Sequence, residues 1–156
     1  MLARITGVPP VGMRTPSWEF TPATLGIVRE MGLLYDSSLM ADDEPYELLH
    51  GGAPTGIVEL PVEWIRDDAI YFNMRMDSPL RPYMPPGSVL DIWKAEFDGA
   101  AAEGGLFLLT MHPHVIGHRS RLALLEALIR HMRATPGAWF ATHAQVARYV
   151  KEAVRA

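Results

Sequence analysis

The chain has 156 residues, 49% hydrophobic and 21% charged, with a formal net charge of −4. That is the length of one domain, able to bury roughly 70% of its unfolded-chain surface and too apolar for a disordered polymer. The acidic balance, with no Lys/Arg run, argues against a nucleic-acid or anionic-membrane surface, and the lack of cysteine excludes disulfides, thiolate nucleophiles and thiolate metal sites.

The opening Met1-Leu2-Ala3-Arg4-Ile5-Thr6-Gly7 has no long apolar run after its arginine, so it does not read as a secretion signal. No apolar stretch approaches the length of a membrane span, and a cytoplasmic protein is the expectation. Thr21-Pro22 offers an N-cap and a first-turn proline for a helix carrying Leu25, Val28 and Met31 as a stripe and ending at Gly32. Leu33-Leu34-Tyr35 and Ile57–Val62 read as short strands. Two long segments, near residues 37–56 and 63–87, are rich in Pro, Gly and Asp and exceed plain connectors. Ser88 is placed to cap a second helix with Val89, Trp93, Phe97 and Ala100 inward and Gly104-Gly105 as its stop. Leu106–Met111 reads as a third strand. Ser120 opens a helix with Leu122, Leu125, Ile129 and Met132 on one face. Ala138-Trp139-Phe140 suggests a last strand, and Thr142-His143-Ala144-Gln145 has capping-box spacing ahead of Val146, Tyr149, Val150 and Ala153. Short buried runs alternating with amphipathic helices predict an α/β fold with a parallel sheet or barrel.

Alternation along Leu106-Phe107-Leu108-Leu109-Thr110-Met111-His112 puts Leu106, Leu108, Thr110 and His112 on one face. Pro113 then ends the strand, leaving His112 at its C-terminal end, the rim where catalytic side chains gather in α/β barrels. The local pattern is equally compatible with a structural histidine near a turn. His112, His114 and His118 also form a possible nitrogen-rich metal cluster, although Pro113 breaks the alternation that would aim them together. Arg14, in Gly12-Met13-Arg14-Thr15-Pro16-Ser17-Trp18, precedes a Pro-fixed turn and can grip a carboxylate bidentately, with Trp18 and Phe20 as candidate cleft walls. By itself this segment reads better as a surface arginine beside two core aromatics. Asp42-Asp43 and Asp67-Asp68 are paired acids expected to be solvated in loops. Gly51-Gly52 lacks the rest of a phosphate-binding loop. His50, His131 and His143 have no partner pattern, and the last two are expected to be exposed on helices.

Taken together these segments resemble the polysaccharide deacetylase family (NodB homology, carbohydrate esterase family four). Arg14-Thr15-Pro16-Ser17-Trp18 resembles its third motif, an Arg-x-Pro turn, and Leu108-Leu109-Thr110-Met111-His112 its fifth, a strand ending in the catalytic histidine. Tyr35-Asp36-Ser37-Ser38-Leu39-Met40, Glu59-Leu60-Pro61-Val62 and Trp139-Phe140-Ala141-Thr142 resemble the subgroup of cytoplasmic peptidoglycan deacetylase-like enzymes, allantoinases and cyclic imidases. The resemblance covers the whole chain, 1–156, as the C-terminal part of such a domain. It implies a distorted (β/α) barrel that hydrolyses a C–N bond with zinc or another divalent metal. His112 would donate a proton to the leaving nitrogen, Arg14 would orient the aspartate base, and Trp18, Pro16 and His114 would meet the substrate.

The family's Asp-Asp motif after a Thr-Phe strand and its His-x-x-x-His motif, which supply base and metal ligands, both precede the Arg-x-Pro turn, and neither stands ahead of Arg14 in these residues; the His114–His118 spacing falls after the His112 strand instead. The resemblance therefore implies a partial barrel lacking its N-terminal strands, inactive alone and binding no metal by itself. The accounts that remain are the back half of a complete hydrolase, one half of a split enzyme, and a non-catalytic binding or assembly module. Open strand edges favour association with a second copy or with a complementary N-terminal half. The substrate is either an N-acetylated sugar polymer or a small cyclic amide or ureide, and the loops at Asp42–Tyr46 and Arg81-Pro82-Tyr83 are the places for specificity.

Overall fold

The structure, a computed structural model, describes residues 2–73 and 83–153. In chain order its elements are α1 (Leu2–Thr6), β1 (Gly12–Met13), a 3-10 turn (Pro16–Trp18), α2 (Pro22–Glu30), β2 (Tyr35–Asp36), β3 (Tyr46–His50) and β4 (Ala53–Glu59). There follow a 3-10 turn (Trp64–Arg66), α3 (Asp68–Phe72), α4 (Pro86–Glu103), α5 (Pro113–Ile116), α6 (Arg119–Ala134) and α7 (His143–Ala153). They form two compact units, one built from residues up to Val62 and from Phe140 onward, the other from Glu63–Trp139.

The first unit is a four-stranded sheet in the order β1-β2-β4-β3, parallel except for the antiparallel β3–β4 hairpin. β3, the turn and the first half of β4 lie in the segment 37–56, which the sequence presents as a loop, and β4 continues into the expected strand at Ile57. Gly51 and Gly52 form the turn, both at positive φ as a two-residue hairpin connection requires. Thr21 and Thr24 cap α2 reciprocally, and Leu25 and Val28 face a core with Leu33, Leu48 and Ile57. Met31 is the C-cap residue of the helix; it falls outside that stripe and is exposed. α7 packs on β2 and β4, begins at the Thr142–Gln145 box and sends Lys151 Nζ to Gly56 O at 2.6 Å. Its buried residue is Ala147, while Tyr149 is exposed.

The second unit centres on Phe72, Val89, Trp93, Val115, Ile116, Leu124 and Leu128. α4 begins at Pro86 behind Pro85, two residues ahead of Ser88, and ends at Gly104 in the left-handed conformation. Its Val89, Trp93 and Phe97 are buried as their spacing requires. On α6 the buried positions are Leu124 and Leu128, whereas Leu122 and Ile129 are exposed. The inward face is thus rotated from the expected one. An apolar i, i+3, i+7 set identifies an amphipathic helix without choosing between two adjacent apolar faces. The segment 106–111 forms one parallel bridge, Asp67 to Thr110, instead of a strand, yet Leu108 and Thr110 are buried in the expected alternation. Ala138–Phe140 is not a strand, and Trp139 and Phe140 are both 56% exposed. Arg81 and Pro82 lie outside the described residues.

Candidate functional site

Among the described residues, each unit brings chemistry-bearing side chains together. In the second unit, Trp93 Nε1 donates to Ile65 O at 3.0 Å, which ties the 3-10 turn to α4. The chain then runs as two hydrogen bonds against residue 110, Thr110 N to Arg66 O and Asp68 N to Thr110 O. That short ladder brings Asp67-Asp68 beside His112. Asp67 caps α3 by accepting from Ala69 N at 2.6 Å. Asp68, fully buried, accepts from His112 N at 3.0 Å through Oδ2 and contacts His112 Nδ1 at 2.7 Å through Oδ1. One carboxylate therefore fixes both the backbone and the ring of the histidine. Nδ1 carries the proton towards the carboxylate, and the opposite ring nitrogen is the one available for chemistry. The imidazole keeps 39% exposure. Asp67 Oδ1 stands 3.9 Å from the same Nδ1; burial raises the Asp67 carboxyl's pKa, partly offset by the Ala69 amide and His112.

This overturns the solvated-loop reading of Asp67-Asp68. Asp42-Asp43, by contrast, is exposed as expected, with Asp42 accepting from Glu44 N. Of the three-histidine cluster only part assembles: the His112 and His114 rings meet edge to face at 5.8 Å, while His118 sits exposed ahead of α6. Among the described residues, the group whose ligand atoms converge is Asp67, Asp68 and His112. Its donors do not fit a resident metal. Both Asp68 oxygens are engaged by His112, Asp67 Oδ1 is engaged by an amide, and the histidine presents its protonated nitrogen to them. The arrangement ties one imidazole nitrogen to Asp68 and leaves the other unengaged by it.

In the first unit, Arg14 follows β1 and donates from Nε to Ser37 O at 2.8 Å and from Nη2 to Ser37 Oγ at 2.7 Å. Ser37 Oγ in turn donates to Leu60 O, and Ser38 Oγ accepts from Thr15 N. The Tyr35–Ser38 segment is thus a clamp for the Arg14-Thr15-Pro16 turn. Ser17 and Trp18 complete that turn at φ 52° and 58°, a left-handed conformation unfavourable for side chains with a Cβ. Trp18 is half-buried and Pro16 exposed. Tyr35 lies across Gly12, where any Cβ would overlap its ring, and stacks on His143 at 5.6 Å. Met13, Arg14, Tyr35, Ser37 and His143 line a cleft of about 230 Å³. His143 Nε2 stands 3.4 Å from Arg14 Nη2; burial and the guanidinium both lower its pKa. Sequence spacing gave no hint of this, since His143 and Arg14 are far apart in the chain.

Beneath Arg14, strand register sets Asp36 beside Glu59 and Glu59 beside Tyr46. Asp36 and Glu59 are fully buried. Glu59 Oε1 accepts from Ser38 N and Leu39 N, but both Asp36 oxygens, Glu59 Oε2 and Tyr46 Oη lack a well-aligned hydrogen bond. Burial, then the neighbouring Asp36 charge, pushes Glu59 up to about 8. Burial also raises Asp36, and Tyr46 is pushed up to about 12.

The chain is 36% identical to a solved structure from Mycobacterium smegmatis described as a polysaccharide deacetylase, with a TM-score of 0.87 over 98% of this chain and 53% of that one. The chain is related to the polysaccharide deacetylases. It is also similar to the Helicobacter pylori peptidoglycan deacetylase, 27% identical over 94% of this chain and 59% of the relative. The solved PuuE allantoinase matches with a TM-score of 0.78 and 26% identity over 94% of this chain and 48% of that one. No protein-family model matches the chain. The chain spans about half the length of the deacetylase relatives it matches. The expected α/β class is the one those structures share, and the match to half of each agrees with a partial barrel of the deacetylase type. No described helix is long and apolar enough to cross a membrane.

Proposed function

We propose that the chain, as the C-terminal part of a polysaccharide deacetylase-like domain, supplies the proton-donating half of a hydrolase acting on carbon–nitrogen bonds other than peptides. Its substrate would be an N-acetylated sugar polymer. The observation that carries this reading is the double grip of Asp68 on His112. A carboxylate at Nδ1 stabilises an imidazolium, so the ring can hold a proton and deliver it from its other nitrogen to the departing amine. His114, edge-on to His112, and the strained Pro16–Trp18 turn would contact the substrate, and Arg14 would orient a carboxylate base. A divalent ion such as zinc would supply Lewis-acid activation, held by residues outside this chain, because the donors around His112 are engaged with one another. The matching half of the fold would come from a longer polypeptide, a complementary chain or a second copy.

The similarity to the allantoinase structure supports a second reading, hydrolysis of a small cyclic amide or ureide. A direct test is to mix the chain with a polypeptide carrying the remaining half of a related deacetylase, with zinc, and assay release of acetate from N-acetylglucosamine oligomers against ring opening of a cyclic ureide. Acetate release lost in His112→Ala supports the first reading. Ring opening alone supports the second. Association with no turnover of either leaves the non-catalytic assembly module. Light scattering of the isolated chain tests self-association, and a monodisperse monomer would exclude the second-copy arrangement.

A further inference from the structure

The Arg14 guanidinium is held on one side by Ser37, through the carbonyl and the hydroxyl. On the other side stands His143, the first residue of α7, with Nε2 at 3.4 Å from Nη2. Arginine has donors only, so a histidine nitrogen facing it at this distance contributes by accepting. We infer that His143 is a positioning residue for Arg14, a neutral imidazole protonated on Nδ1 whose Nε2 lone pair fixes the direction of the guanidinium.

Three features of the chain place the ring for this. The reciprocal Thr142–Gln145 cap sets where α7 starts. Tyr35 stacks on the imidazole with an interplanar angle of 26°, which removes its freedom to swing. Gly12 gives the Tyr35 ring room to lie there, since a side chain at that position would occupy the same space. The charged and titratable groups near the pair include Tyr35 and Asp36 on β2 and, beside Asp36, Glu59 on β4. Lys151, on the histidine's own helix, is engaged with Gly56 O. Half-burial and the adjacent cation both oppose protonation of His143, which keeps Nε2 an acceptor near neutral pH.

The catalytic consequence rests on the hydrolase reading above: Arg14 can orient a carboxylate only if its own direction is fixed. The pairing itself does not rest on it, and the experiment separates the two. Long-range ¹H–¹⁵N spectra of the chain at neutral pH should show His143 as the Nδ1–H tautomer, with a protonation midpoint that rises in Arg14→Ala. An Nε2–H tautomer, or a midpoint that Arg14→Ala leaves in place, overturns the inference whatever the protein catalyses. In the reconstituted hydrolysis assay, His143→Ala should lower kcat about 10- to 100-fold with little change in KM, as for a misdirected catalytic group. His143→Gln, whose amide oxygen falls near the place of Nε2, should recover most of that loss, and His143→Asn should not. Equal losses in Gln and Asn variants would mark a packing role and overturn it. Spectra as expected, without hydrolysis by the wild-type assembly, would overturn the hydrolase reading and leave the pairing intact.

Discussion

The two units bury carboxylates in opposite ways. In the second, Asp68 is fully buried with both oxygens taken by His112, and Asp67 caps a helix. In the first, Asp36 and Glu59 are equally buried, side by side across parallel strands, and three of their four oxygens lack an aligned hydrogen bond. A satisfied carboxylate is a fixed negative charge that orients a partner. Two unsatisfied ones in contact cannot both ionise cheaply, so they retain a proton between them. The same residue types thus make a rigid acid–histidine unit in one place and a proton-holding pair in the other, decided by whether the neighbour is a histidine that engages both oxygens or a second carboxylate.

The largest effect that would break this comparison is at Asp68. Asp68→Ala leaves the His112 amide without its buried acceptor and should cost about 1–3 kcal/mol in denaturant unfolding. It should also remove most C–N hydrolysis in the reconstituted assay; unchanged stability would mean that the double grip is not formed. In the first unit, Gly12→Ala forces the Tyr35 ring off its seat and should cost about 1–3 kcal/mol, read in the same way, as for overpacking elsewhere. The Glu59 test concerns pH. Its folded pKa is raised from 4.5 to about 8, so its stabilising contribution is fully present below 4.5 and is lost as pH rises towards 8. Stability should fall across that window by at most roughly 1.4 kcal/mol per pH unit from this group. Glu59→Gln should flatten the slope, and a slope of the same size in the variant would remove the proton-holding pair from the account. The smallest effect belongs to Thr142→Ala, about 1 kcal/mol from loss of the α7 cap, measured by thermal unfolding.

Much of this was legible from the residues. Caps, stop signals and apolar spacing located α2, α4, α6 and α7, because those signals act within one turn of helix. The resemblance singled out His112 and Arg14, and the structure gives each a partner that spacing could not: Asp68 lies 44 residues from His112, and His143 lies 129 from Arg14. Asp67-Asp68 was misread because adjacent acids in a Pro- and Asp-rich stretch look solvated. The available signal was Asp67 as an N-cap ahead of the apolar run Ala69-Ile70-Tyr71-Phe72. The hairpin was hidden by its polar strand β3, although Gly51-Gly52 carried the turn. The strand expected at 106–111 shrank to one bridge because only Arg66–Asp68 pairs with it among the described residues.

The central claim is that Asp68 holds His112 as the proton donor for C–N bond hydrolysis. The measurement that tests it most directly is turnover of an N-acetylglucosamine oligomer by the chain joined to the remaining half of a related deacetylase, wild type against His112→Ala and Asp68→Asn. The account predicts measurable acetate release in the wild type, a loss of about 10²- to 10⁴-fold in His112→Ala, and a clear loss in Asp68→Asn. Full turnover in His112→Ala would contradict it.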